Sequence, residues 1–96
     1  MVELLEIRES RHPVKRYTAI FRLDNGKEKK VRFADKNYTN YLLGASRDQR
    51  KLYRIRHEGD NLKDAMSPGS LSFSITWGPS RDIEKNIKSF KKKYNV

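Results

Sequence analysis

The chain reads as a small α+β domain in which an antiparallel β-hairpin, with two strands or three, is packed by about three short helices. Three observations predict it. Apolar residues alternate with period two through the first third, the spacing changes to three and four beyond Phe33, and turn or capping residues stand at each border. Residues 14–23 are rich in β-branched and aromatic side chains, with Tyr17, Ala19, Phe21 and Leu23 on one face and Arg16, Thr18, Ile20 and Arg22 on the other. Asp24-Asn25-Gly26-Lys27 follows, and its Asn-Gly pair predicts a type I′ turn into residues 28–33, where Val31 and Phe33 keep the period. Residues 2–7 supply a third strand, the alternative being that residues 1–13 form an edge arm set off by Pro13.

Helical spacing takes over with Tyr38, Tyr41 and Leu42, which predicts one or two turns over residues 37–43 closed by Gly44. Ser46, with Gln49 three residues later, forms a capping box for a helix over residues 47–57, which Gly59 closes before a polar connection over residues 60–66. Ser67-Pro68 repeats the start signal, and Gly78-Pro79 stops the segment that carries Leu71, Phe73, Ile75 and Trp77. Those four also alternate with period two, so a strand with Ser70, Ser72, Ser74 and Thr76 on its other face is the alternative. The start and stop signals favour the helix. Ser80 is placed to cap a last helix over residues 81–94, which has acids in its first turn and Lys91, Lys92 and Lys93 in its last, as the helix dipole prefers.

Length and composition narrow the functions. With 96 residues there is room for one domain and a small core, since 35% of the residues are hydrophobic, and multidomain or doubly wound cofactor folds do not fit. Low hydrophobicity with a net charge of +10 approaches the composition of disordered chains. Against that, ten aromatic residues are spread along the sequence and anchor most segments. No apolar run approaches the roughly 20 residues that span a bilayer, and acids at Glu3 and Glu6 stand where a signal peptide carries bases, so the chain is expected to be neither exported nor membrane-embedded. Cysteine is absent, which removes disulfides, thiolate chemistry and Cys-type zinc sites.

The positive charge is unevenly placed. Residues 44–57 and 81–96 carry much of the excess, whereas residues 58–80 are net acidic. On a helical wheel Ile83, Ile87, Phe90 and Tyr94 share one side of the last helix, opposite Arg81, Lys85, Lys88 and Lys92. The helix over residues 47–57 is expected to gather Arg47, Arg50, Lys51 and Arg54 on one side and Leu52, Tyr53 and Ile55 on the other. Arg56 then points toward the apolar side as a buried or paired arginine. A lysine-rich stripe is also what the solvated face of any amphipathic helix looks like. At this charge density, however, self-repulsion costs stability unless an anionic partner offsets it, and phosphate backbones bind such stripes by releasing counterions.

No catalytic arrangement emerges, and no cofactor is expected. His12 and His57 lack the i, i+4 companion of a helical metal pair, Asp60 and Asp64 lack a third ligand, and the five glycines are isolated at turns rather than gathered in a phosphate loop. Trp77 and Phe73 could form a stacking platform for single-stranded bases, but in a domain this poor in aliphatics they read first as core anchors.

One resemblance spans roughly residues 29–90. Lys30-Val31-Arg32-Phe33-Ala34 precedes Asn37-Tyr38-Thr39-Asn40-Tyr41, then come Tyr53-Arg54-Ile55-Arg56-His57, Ser67-Pro68-Gly69-Ser70-Leu71-Ser72, Trp77-Gly78-Pro79-Ser80 and a terminal helix with Ile83, Ile87 and Phe90. This order resembles an uncharacterised family of small basic proteins from large nucleocytoplasmic DNA viruses of algae and protists. The chain departs from that pattern at Ala34, where glycine is expected, at Leu42-Leu43-Gly44, which replaces a charged stretch, and at residues 73–75, which are poorer in tryptophan. The resemblance implies a viral setting, in the virion or in the host cytoplasm or nucleus, and transfers no functional residues. Together these readings lead to the expectation of a noncatalytic viral protein that binds nucleic acid non-specifically through phosphate contacts from Arg47, Arg50, Lys51, Arg54, Arg81, Lys85, Lys88 and Lys92. The alternative is a minor capsid or virion structural protein whose basic faces bridge acidic surfaces of coat proteins.

Overall fold

A computed structural model describes residues 1–60 and 62–96, so of the polar connection expected over residues 60–66, Asn61 lies outside the described residues. The architecture is α+β. Strands β1 (Glu3–Glu9), β2 (Lys15–Arg22) and β3 (Glu28–Asp35) form an antiparallel sheet in the order β1-β2-β3. A 3₁₀ turn (Tyr41–Leu43) and helix α1 (Arg47–His57) follow; α2 (Pro68–Leu71) continues as a π-helical turn (Ser72–Thr76), and α3 (Ile83–Tyr94) ends the chain. The third strand is therefore present. Its pairing slips between Leu4 and Glu6, and that bulge turns both Leu4 and Ile7, three residues apart, toward the core.

The core lies on one face of the sheet, where Leu4, Ala19, Phe21, Val31 and Phe33 meet Leu71, Ile75 and Phe90. Thr18 and Ile20, of opposite parity on β2, are buried without joining this cluster. Each lies between cross-strand neighbours with long side chains, Thr18 between Arg8 and Arg32 and Ile20 between Glu6 and Lys30. The stems of those residues cover the outer face of the sheet while their charges stay in water.

The hairpin differs from the expected two-residue turn. Leu23 N–H donates to Lys27 O at 2.7 Å, and Gly26 N–H donates to Leu23 O at 2.9 Å. Only Gly26 in the loop has positive φ (83°), so three residues connect the strands in the pattern of a type I turn followed by a left-handed glycine. Asn25 holds a negative φ and uses its side-chain oxygen to accept from Lys27 N–H at 2.9 Å.

Between Leu71 and Trp77 the helical reading is correct and the period-two pattern is explained. In this wide turn Trp77 N–H reaches back five residues to Ser72 O at 2.9 Å. Leu71 and Ile75 join the core against the sheet, whereas Phe73 and Trp77 meet side chains of α1, with Arg54 over Phe73 and Tyr53 against Trp77. The segment is packed on two sides, and alternation is how that burial reads in sequence.

Three boundaries also shift. The turn predicted over residues 37–43 is confined to Tyr41–Leu43, capped by Asn40, whose side chain accepts from Leu43 N–H, and closed by Gly44 at φ 111°. Helix α1 has the expected capping box, but Glu58 is its right-handed C-cap and Gly59 holds no left-handed conformation. Helix α3 starts at Ile83 with Asp82 as N-cap, its side chain accepting from Glu84 N–H at 3.0 Å. The Ser80 hydroxyl accepts from Asp82 N–H at 3.0 Å, ahead of the helix, and the Ser80 backbone is held by Asn86, its N–H donating to Asn86 Oδ1 at 3.0 Å and its carbonyl accepting from Asn86 Nδ2 at 2.6 Å.

Ala34 sits near the end of β3 in the left-handed region, with φ 64°. An L side chain there costs about 1–2 kcal/mol, against which glycine's greater unfolded-state freedom weighs about 0.5–1 kcal/mol. Ala34→Gly is therefore expected to raise stability by about 0.5 kcal/mol, read as a higher denaturant midpoint at unchanged slope. A lower midpoint would mean that the half-buried methyl outweighs the backbone strain.

Candidate polyanion interface

The eight cations expected to contact phosphate divide into two groups. Arg50, Arg54 and Arg81 are engaged within the fold. Arg54 Nη1 donates to Phe73 O at 2.8 Å and to Trp77 O at 3.0 Å, and its guanidinium lies 3.8 Å from the Phe73 ring centroid. Arg50 Nε donates to Gly78 O at 2.8 Å. These carbonyls belong to the π turn and the residues after it, so the two arginines act as side-chain caps for a helix end that has lost its backbone partners. Burial and the neighbouring Arg50 charge lower the pKa of Arg54 from its ordinary value, and the group stays charged. Arg81 precedes α3 rather than lying on it. Its Nη1 donates to Tyr41 O at 3.0 Å, and its guanidinium stacks 4.1 Å from the Tyr41 ring centroid.

Arg47, Lys51, Lys85, Lys88 and Lys92 form the second group. All five are exposed, and no acid lies within salt-bridge distance of any of them among the described residues. On α3 the lysines lie opposite the packing side formed by Asn86, Phe90, Ile83 and Ile87, as the wheel predicts. They span about 10 Å along the helix axis.

Helix α1 docks the other way round from the sequence reading. It contains no buried residue. Its inward side is formed by Arg50, Tyr53, Arg54 and His57, all half-buried, whereas Leu52 and Ile55 are 54% and 53% exposed. Arg56, expected to be buried or paired, is exposed and borders a cleft. The physical reason lies across the interface: α1 packs on the far side of the π turn from the sheet, where open carbonyls and aromatic rings favour guanidinium groups over leucine. Hydropathy alone cannot detect a partner surface of that kind.

That cleft, of about 710 Å³, is walled by Ala34 and Asp35 of β3, by Tyr38, Thr39 and Asn40, by Gln49, Leu52, Tyr53, Arg56 and His57 of α1, and by Ser72, Thr76 and Trp77. Its aromatic wall is a three-ring stack. The Tyr53 centroid lies 4.4 Å from Trp77 with planes 7° apart, and 4.2 Å from His57 at 29°. Burial raises the Tyr53 pKa, aided by the Asp60 carboxylate, so the phenol stays neutral. His57 Nδ1 lies 2.8 Å from Asp60 Oδ2, which orients the ring. The platform imagined from Trp77 and Phe73 is thus not formed: Phe73 is buried beneath Arg54.

A second hollow, of about 720 Å³, lies on the outer side of the sheet among Arg8, Arg11, His12, Thr18, Lys30 and Arg32. His12 Nδ1 accepts from the backbone N–H of Val14 and Lys15, both at 3.1 Å, which fixes the ring against the loop before β2. Sequence reading passed over Lys30 and Arg32. Their alternation with Val31 and Phe33 was the available signal, since it places both on the outer face.

Among the described residues, no group of three or more His, Cys, Asp or Glu side chains is arranged to hold a metal ion, and no helix is long and apolar enough to cross a membrane. Compared with protein-family models, curated proteins and solved structures, the chain finds no match.

Proposed function

We propose that this domain is a noncatalytic viral protein that binds nucleic acid through its phosphates, without reading sequence. The observation that carries this reading is the set of exposed cations with no acid in salt-bridge distance among the described residues, Lys85, Lys88 and Lys92 on one open helical side with Arg47 and Lys51 on α1, in a chain of net charge +10. Arg50, Arg54 and Arg81 leave the proposed contact set because each is tied by one guanidinium nitrogen to a backbone carbonyl of the fold. Lys30 and Arg32 join it from the sheet. Each phosphate neutralised releases condensed counterions, so seven such contacts are expected to lower affinity for duplex DNA by roughly three to four orders of magnitude between about 50 and 200 mM salt. A titration of labelled duplex at these two salt concentrations tests this. Binding that ignores salt, or no binding at the lower concentration, contradicts it.

The second reading is a minor virion component set against acidic coat-protein surfaces. It is favoured by one observation, the exposed pair Leu52 and Ile55 beside Lys51, because an apolar patch edged by bases suits an acidic protein better than a sugar-phosphate backbone. A stoichiometric place in purified capsids that survives nuclease would support it over the first.

A further inference from the structure

The cleft between α1 and the end of β3 has features that phosphate binding does not use. Its volume suits a ligand the size of a nucleotide. Tyr53 is covered on both sides by Trp77 and His57, so the stack can be extended only at its ends, and both end rings border the cleft. Tyr38 also lines the cleft, is 72% exposed and takes no part in the core cluster. Arg56 supplies an exposed charge at the border; Asp35, whose Oδ1 accepts from Asn37 N–H, and Gln49, whose Oε1 accepts from Ser46 N–H, bring a second carboxylate oxygen and an amide NH₂ able to meet the hydrogen-bonding edge of a base. The wall that carries Trp77 is the π turn, pinned by Arg54 and Arg50, so the tryptophan is held by more than its own packing.

We propose that this cleft takes an unpaired nucleobase of single-stranded nucleic acid, stacked against the Trp77 end of the ring stack and covered by Tyr38, with its phosphate at Arg56. This rests on the reading that the domain binds nucleic acid and adds to it a preference for unpaired bases. An aromatic ring accepts any base by its π face, so the preference is for single strands over duplex rather than for a sequence. Arg56 carries the adjoining phosphate as a point of positive charge outside the α3 lysine row.

Trp77 is the only tryptophan in the chain, so its fluorescence reports on the cleft alone. The full-length protein is titrated at about 50 mM salt with a dT 12-mer and with an abasic strand of the same length and charge. The dT strand is expected to quench Trp77 and to bind roughly tenfold more tightly, the gain of about one stacked base. Tyr38→Ala, at a position exposed enough to leave the fold intact, is expected to remove at least threefold of that gain and to leave abasic binding within twofold. Equal affinity for the two strands, or equal quenching by both, overturns the cleft proposal and leaves phosphate binding standing. Failure of both strands to bind overturns the phosphate reading and the cleft proposal with it. Quenching by poly-glutamate but by neither strand overturns both in favour of an acidic protein partner.

Discussion

Gly78→Ala is expected to destabilise the domain by about 3 kcal/mol, enough to lower Tm by more than roughly 10 °C in a chain of this size. A methyl group at Gly78 would stand 2.7 Å from Asn86 Cγ and closer still to the carbonyl oxygen of Ser74. Neither neighbour can yield cheaply. The carbonyl is part of the π turn, and Asn86 is fully buried with its amide donating to Ile75 O at 2.8 Å and Ser80 O at 2.6 Å. Moving Asn86 leaves buried donors and acceptors unpaired at about 1–3 kcal/mol each. Gly69→Ala is the internal control, because among the described residues a methyl there meets only Asp60 Oδ2 at 3.8 Å, and its stability is expected to hold or rise slightly. Thermal melts of the two variants decide the point, and a Gly78→Ala melt within 2 °C of the parent would refute the close packing of α3 on the π turn.

Arg54→Ala is expected to cost about 2–4 kcal/mol, although it removes one surface-type charge from an already overcharged chain. Hydrogen bonds from a charged donor contribute about 1.5–3 kcal/mol and a cation–π contact about 0.5–2 kcal/mol, and Arg54 makes two of the former and one of the latter. Lysine should rescue only in part, since it lacks the planar guanidinium that lies on the Phe73 ring while its Nη1 reaches both carbonyls. Lys88→Ala removes the same charge from the open side of α3 and is expected to change stability by less than about 0.5 kcal/mol. Denaturant unfolding of both variants separates the two kinds of cation. Equal stability of the two variants would mean that Arg54 is as free as Lys88.

Local patterns carried most of the architecture, and what they missed has a common cause. The Ser46 and Gln49 box, Pro68 after Ser67, and the Ile83, Ile87 and Phe90 spacing each encode their element within a few residues, and each is found in place. Which side of α1 faces inward depends on a surface built nearly twenty residues or more away, the carbonyls of Phe73, Trp77 and Gly78. No window centred on α1 contains that information, so the wheel assigned Leu52 and Ile55 inward and the arginines outward. Ser80 is displaced as the cap by Asp82: Asn86 fixes the Ser80 backbone, and the Ser80 hydroxyl accepts from Asp82 N–H ahead of the helix. At Ala34 the backbone adopts the left-handed conformation that glycine tolerates best, and the period-two pattern of β3 gives no sign of it. The lysines of α3 were legible because amphipathicity there agrees with the packing.

The division of the cations is the central claim, and the salt dependence of duplex DNA binding tests it most directly. Plotted as log affinity against log salt, the Lys85→Gln, Lys88→Gln, Lys92→Gln triple variant is predicted to lose about 3 from the magnitude of the parent slope, at unchanged Tm. Parent and triple variant with the same slope and affinity would contradict it.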